Sequence, residues 1–188
     1  MKRLKILTTV GYCFFINSLL YAQMPSTDTS ANVRHLPGKG MLQHDFLYTG
    51  EWDHRKKVQT IYLVRKGKIV WTYDIPFNDP VTGIMEELGD ATMRENGNIV
   101  FCRKTGASEV TPAKKIIWNY EAHNRAEIHS VQPIDGGRVM MVINGVPARV
   151  LWINTSNGQT EKELILPTGR PGAHLQFRRV RQIDKHTI

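Results

Sequence analysis

The segment KIVWTYDIP at 68–76 returns as KIIWNYEAH at 115–123, which sets Trp71 and Trp118 47 residues apart. Between and after them, ELGDATMRENGNIVF at 87–101 aligns without a gap on EIHSVQPIDGGRVMM at 127–141, matching Glu87 to Glu127 and Gly97 to Gly137 across 40 residues. A weaker third copy follows. In EKELIL at 161–166, Leu164 stands where tryptophan stood, 46 residues after Trp118. QFRRVRQIDKHTI at 176–188 then puts Gln176 in the glutamate position, 49 residues after Glu127, and Arg178 in the histidine position. Repeats of this length with about four strands each fall in the range of β-propeller blades. A sandwich assembled from hairpins has no need of a tryptophan at fixed phase.

The local pattern agrees with that architecture. From residue 41 the chain is a series of short apolar or alternating runs such as TIYLVRKG, NIVFCRK, RVMMVING and ARVLWINT. Breaks such as KGK, ENGN, DGG and SNG separate them, a strand-and-hairpin signature. No window from 41 to 188 sustains apolar spacing at 3.6 residues for three turns. The expectation is an all-β fold of β-propeller repeats, four-stranded antiparallel blades of which about three are present. The blades run over about 44–75, 85–122 and 127–167, with 174–188 as the first strand of another. An incomplete ring leaves a blade face uncovered at each end, so self-association or membership of a longer chain is expected. The ending DKHTI, where a DGT-like turn is wanted, favours the longer chain.

Residues 1–22, MKRLKILTTVGYCFFINSLLYA, have a basic start, an apolar stretch and small residues at the end, the order of a secretory signal peptide. The apolar part is too short and interrupted for a membrane span, and Tyr12 stands before Cys13 where lipid attachment wants a small residue. Residues 23–40 read as a flexible linker over polar, Ser-, Thr- and Pro-containing sequence. A periplasmic or secreted product with no stable membrane insertion follows. Cleavage would take three positive charges from the formal +8, leaving about +5, and would leave Cys102 as the one cysteine, so no internal disulfide forms. The remaining charge is spread along the chain, which argues against nucleic acid as a partner.

Taken together, YTGEW, ELGDATMRENGNIVF, GASEVTP, KKIIWNYEA, EIHSVQPI and the HLQFRRVR that follows LPTG resemble exported bacterial quinoprotein-type (PQQ-like) β-propeller proteins. These are loosely grouped with arylsulfotransferase-like propellers, and the resemblance covers 41–188. It implies a ring of six or more blades. For a reaction its motifs are weak.

If the inner strands converge, Glu87, Asp90, Glu127, His129, Gln132, His174, Gln176 and Arg178 form one polar patch at the channel mouth. Carboxylates, imidazoles and a guanidinium together suit a small molecule, glycan or peptide with anionic or hydroxyl groups, Arg178 pairing acids through its planar fork. Each residue could equally serve to satisfy backbone and neighbouring blades. The enzymatic alternative is an arylsulfotransferase-like or lyase-type reaction with His129 or His174 as nucleophile or base, His44 being a weaker third choice. The paired-histidine segment of the arylsulfotransferases is not visible, however. No metal is expected, because His129, His174 and Glu127 show no diagnostic local spacing and would have to converge from different blades. No cofactor is expected either: a quinone needs stacking aromatics, and Trp71 and Trp118 stand at the phase of blade-packing residues.

Overall fold

The computed structural model describes residues 44–49, 53 and 55–188, so the expected signal peptide and linker lie outside the described residues. Among those described, the chain is all-β, built of propeller-type antiparallel sheets formed in sequence order. Phe46–Tyr48 (β1), Val58–Arg65 (β2) and Lys68–Pro76 (β3) make a three-stranded sheet. Leu88–Met93 (β4), Ile99–Arg103 (β5), Gly106–Val110 (β6) and Ile116–Glu121 (β7) make a second, in the order β4-β5-β6-β7. Glu127–Ile134 (β8), Arg138–Asn144 (β9), Ala148–Asn154 (β10) and Thr160–Leu166 (β11) make the third, again in simple succession. The turn residues at Gly97 and Gly137, paired by the repeat, both have positive φ, as a tight connection between a first and second strand requires.

Side-chain alternation along each strand builds the core on both faces of the middle sheet. Ile99 and Phe101 pack toward the first sheet with Ile61, Ile75, Leu88 and Val110. Their neighbours Val100 and Cys102 pack toward the third with Ile128, Val131, Val139, Met141 and Ile143. The recurrent tryptophans hold matching places: Trp71 pairs Leu63 and Trp118 pairs Glu109, each just after a residue that the ladder skips. Trp118 is buried, while Trp71 is half-buried and donates its indole N–H to the Pro112 carbonyl in the β6–β7 turn at 2.8 Å.

The first strands β4 and β8 lie against each other. Each carries one extra residue near its start. On β8 it is His129, between the Ile128↔Ile143 and Ser130↔Val142 pairs; on β4, Gly89 and Asp90 together face one residue of β5. The gapless alignment superposes these two bulges.

The expectation that 174–188 forms the first strand of another blade needs correction. That stretch holds a 3-10 turn at Ala173–Leu175 and no strand. It nevertheless runs beside β8 and β9 through side chain-to-backbone bonds. Ser130 Oγ accepts from Val180 N at 3.2 Å, Gln132 Oε1 from Gln182 N at 2.7 Å, and Asn144 Oδ1 from Phe177 N at 3.2 Å. Val180 packs on Met140, Val150 and Trp152, covering part of the far face of the third sheet. A strand is defined by a backbone ladder, and here side chains of β8 and β9, not the backbone of a neighbouring strand, bond the segment.

Candidate functional site

Glu127 opens β8, and the bulge at His129 turns that imidazole onto it, a use of bulges common beside sites. One carboxylate oxygen, Glu127 Oε2, lies 3.0 Å from His129 Nε2 and 3.1 Å from His174 Nδ1. The other, Oε1, lies 3.4 Å from Lys104 Nζ. A carboxylate between cations and ring N–H groups has nothing to donate, so both ring nitrogens facing it carry the proton.

The opposite ring nitrogens face Arg178. Its guanidinium lies 2.7 Å from His174 Nε2, 3.4 Å from His129 Nδ1 and 3.5 Å from Glu87 Oε1. Arginine has only donors, so those two nitrogens must present lone pairs. Carboxylate on one side and guanidinium on the other therefore fix both histidines as neutral, in opposite tautomers. The rings meet edge to face, centroids 5.6 Å apart.

For His129, electrostatics support the same assignment. Burial pushes His129 below the ordinary imidazole range, and the Arg178 charge adds to this against the pull of Glu127. Burial alone would raise Glu127, but hydrogen bonds from His129 and His174 and the charge of Lys104 outweigh it and hold the carboxyl below its ordinary value. Burial pushes the Cys102 thiol up, which disqualifies it as a nucleophile.

Of the eight residues singled out from sequence, Glu87, Glu127, His129, His174 and Arg178 thus come together. The other three do not join them. Gln132 spends its amide on the backbone of Gln182, donating to O at 3.1 Å and accepting from N at 2.7 Å. Gln176 does the same with Gly145, at 2.9 and 2.8 Å. Asp90 is paired with Arg181 at 2.8 Å and Arg179 at 3.7 Å. The fork of Arg178 is turned onto Glu87 and the histidines rather than onto open space. His44 is exposed at the start of the described chain.

Beside the cluster lies a hollow of about 650 Å³ lined by Tyr120, His123, Arg125, Glu127, Arg149 and His174 with loop backbone around Gly145 and Pro171. Arg149 Nη1 lies 3.6 Å from Glu163 Oε1, and its Nε is buried without a hydrogen-bond partner. Sequence reasoning missed Lys104, Arg125 and Arg149. Repeat phase gives no hint of Lys104, which aligns on Asn144, and the two arginines stand in a loop and on a third strand.

No family model matches the sequence, and no curated protein does. Among solved structures, the crystal structure of a protein of unknown function from Bacteroides caccae superposes with a TM-score of 0.61 and 22% identity, covering 75% of this chain and 47% of that one. The chain thus spans about half the length of that protein. The WD40 domain of Neurospora crassa Pan2 superposes with a TM-score of 0.41 and 11% identity over 64% of this chain and 38% of that one, too loosely to carry an argument. The first likeness speaks to fold alone, so the site has to be read from its own chemistry.

Proposed function

We propose that the chain is an exported recognition propeller of the quinoprotein type that holds a small acidic, hydroxyl-bearing ligand, such as a uronic acid, at the opening of β8. One observation carries this reading. The hollow of about 650 Å³ is lined by Arg125, Arg149, His123 and His174 against a single carboxylate, Glu127, which Lys104 already offsets at 3.4 Å. Arg149, held by Glu163 at 3.6 Å on one side, brings a charged fork to the lining that an acidic group can share. A histidine nucleophile has less support, because both ring nitrogens of His129 and of His174 are engaged.

Calorimetric titration with glucuronate and with glucose tests the proposal. Glucuronate should bind and glucose should bind far more weakly. Arg149→Ala should weaken glucuronate by about 1–3 kcal/mol, the worth of a charge-assisted hydrogen bond, without lowering the melting temperature. Equal affinity for the acidic and neutral sugars would overturn the reading.

A further inference from the structure

On the far side of His174 from the hollow, the geometry points to a divalent transition-metal site formed by Glu87, His129 and His174, closed in this conformation by the guanidinium of Arg178. One ligating atom from each of the three residues lies within 4.8 Å of the other two. The free acceptors among them, His129 Nδ1, His174 Nε2 and Glu87 Oε1, are 3.4, 2.7 and 3.5 Å from the guanidinium nitrogens of Arg178. A cation already sits where three acceptors converge, and it is a side chain that can leave: that of Arg178 is 52% exposed.

Two further features favour a metal over a purely structural ion pair. Glu127 binds the outer nitrogen of both rings through one oxygen. Histidines that ligate metals are commonly oriented in this way by a carboxylate behind them, which fixes the tautomer and raises the basicity of the inner nitrogen. The donor set, two neutral imidazoles and one carboxylate, suits zinc, cobalt or iron(II) and not the oxygen-seeking calcium and magnesium. Around a tetrahedral ion at about 2.1 Å the ligand atoms stand about 3.4 Å apart, so the three must draw together. His174 and Glu87, with side chains 52% and 34% exposed, have the freedom to do so, while buried His129 is the fixed point.

Against the sequence-based expectation of no metal, the acid that joins the histidines is Glu87, just ahead of β4, and Glu127 stands behind them. The site shares His174 and Glu127 with the lining of the arginine-lined hollow, but metal binding by the chain alone is read without any sugar.

The experiment titrates the whole chain with Zn²⁺ by calorimetry and with Co²⁺ by its visible d–d absorption, with Mg²⁺ as control. One equivalent of Zn²⁺ and Co²⁺ should bind, and Mg²⁺ should not. Glu87→Gln and His174→Ala, both at exposed or half-exposed positions and so safe for folding, should each weaken Zn²⁺ at least tenfold. Glu127→Gln should weaken it by about 10–100-fold. Arg178→Ala should strengthen it, because a competing cation is gone, and that gain would not arise if Arg178 merely braced the fold. Absence of zinc binding in both the native chain and Arg178→Ala would overturn the proposal. So would zinc binding indifferent to Glu87→Gln and His174→Ala, which would place the ion on other histidines.

Discussion

His129 takes up a proton at lower pH in the folded chain than in the unfolded one, because burial and Arg178 disfavour its charged form. The groups facing it are Glu127 on its own strand, Glu87 just ahead of β4, and His174 and Arg178 from the segment after β11. Below the ordinary value of 6.5 the unfolded state therefore binds more protons, and stability falls as pH drops toward the folded-state value. Glu127 acts in the same direction in a lower window. Its stabilisation is present above the ordinary 4.5 and is lost as pH falls through its depressed value. The melting temperature should be level between about pH 7 and 8 and decline below about 6.5. His129→Gln should remove the upper part of that decline and leave the lower. A decline between pH 6.5 and 5 that persists unchanged in the variant would assign the proton uptake to another group.

Among the strands, the decisive contact is the approach of β4 to β8. A Cβ built on Gly89 would lie 2.8 Å from Cys102 Sγ and 3.1 Å from the His129 carbonyl oxygen. One obstacle is a fully buried side chain and the other is backbone, so neither yields freely. Gly89→Ala should cost about 1–3 kcal/mol in urea denaturation, the usual penalty of overpacking. Cys102→Ala added to it should recover part of the loss, a non-additivity that a double-mutant cycle measures. A strictly additive pair would mean that the strain is against β8 backbone alone. The repeat marked this place, because the bulges of β4 and β8 fall at aligned residues. It did not mark the divergence: glycine at 89 and histidine at 129 perform opposite tasks, one making room and the other filling it.

Across the whole molecule, each sheet ends in an outer strand with an exposed apolar pair: Ile69 and Val70 and then Ile116 and Ile117 at the same repeat phase, and Leu164 and Ile165 two positions further on in the third. Val70 and Ile117 are the residues skipped by the ladder just before Trp71 and Trp118. These strands have unpaired backbone on one side and apolar side chains besides, the combination that templates edge-to-edge association. Bulges blunt such edges only partly. Val70→Lys with Ile117→Lys should lower the apparent mass of the chain in concentrated solution by light scattering, with little change in melting temperature. Association unaffected by both lysines would move the contact to a sheet face.

The amino-acid sequence by itself determined the all-β class, the strand order within each sheet and the correspondence of 87–101 with 127–141. These depend on side-chain alternation, turn residues and repeat phase, all of which are local. It also placed Glu127, His129, His174, Arg178 and Glu87 near one another, since equivalent repeat positions fall at corresponding places on adjacent strands. Only the tertiary structure decided which partner each side chain takes. Gln132 and Gln176 pair with backbone that arrives from Gln182 and Gly145, and Asp90 is claimed by Arg181. Those partners come from 31 to 91 positions away along the chain or from an irregular segment, where neither periodicity nor repeat phase operates. A polar group bonds whichever complementary group desolvation brings within about 3 Å, and that is settled by packing.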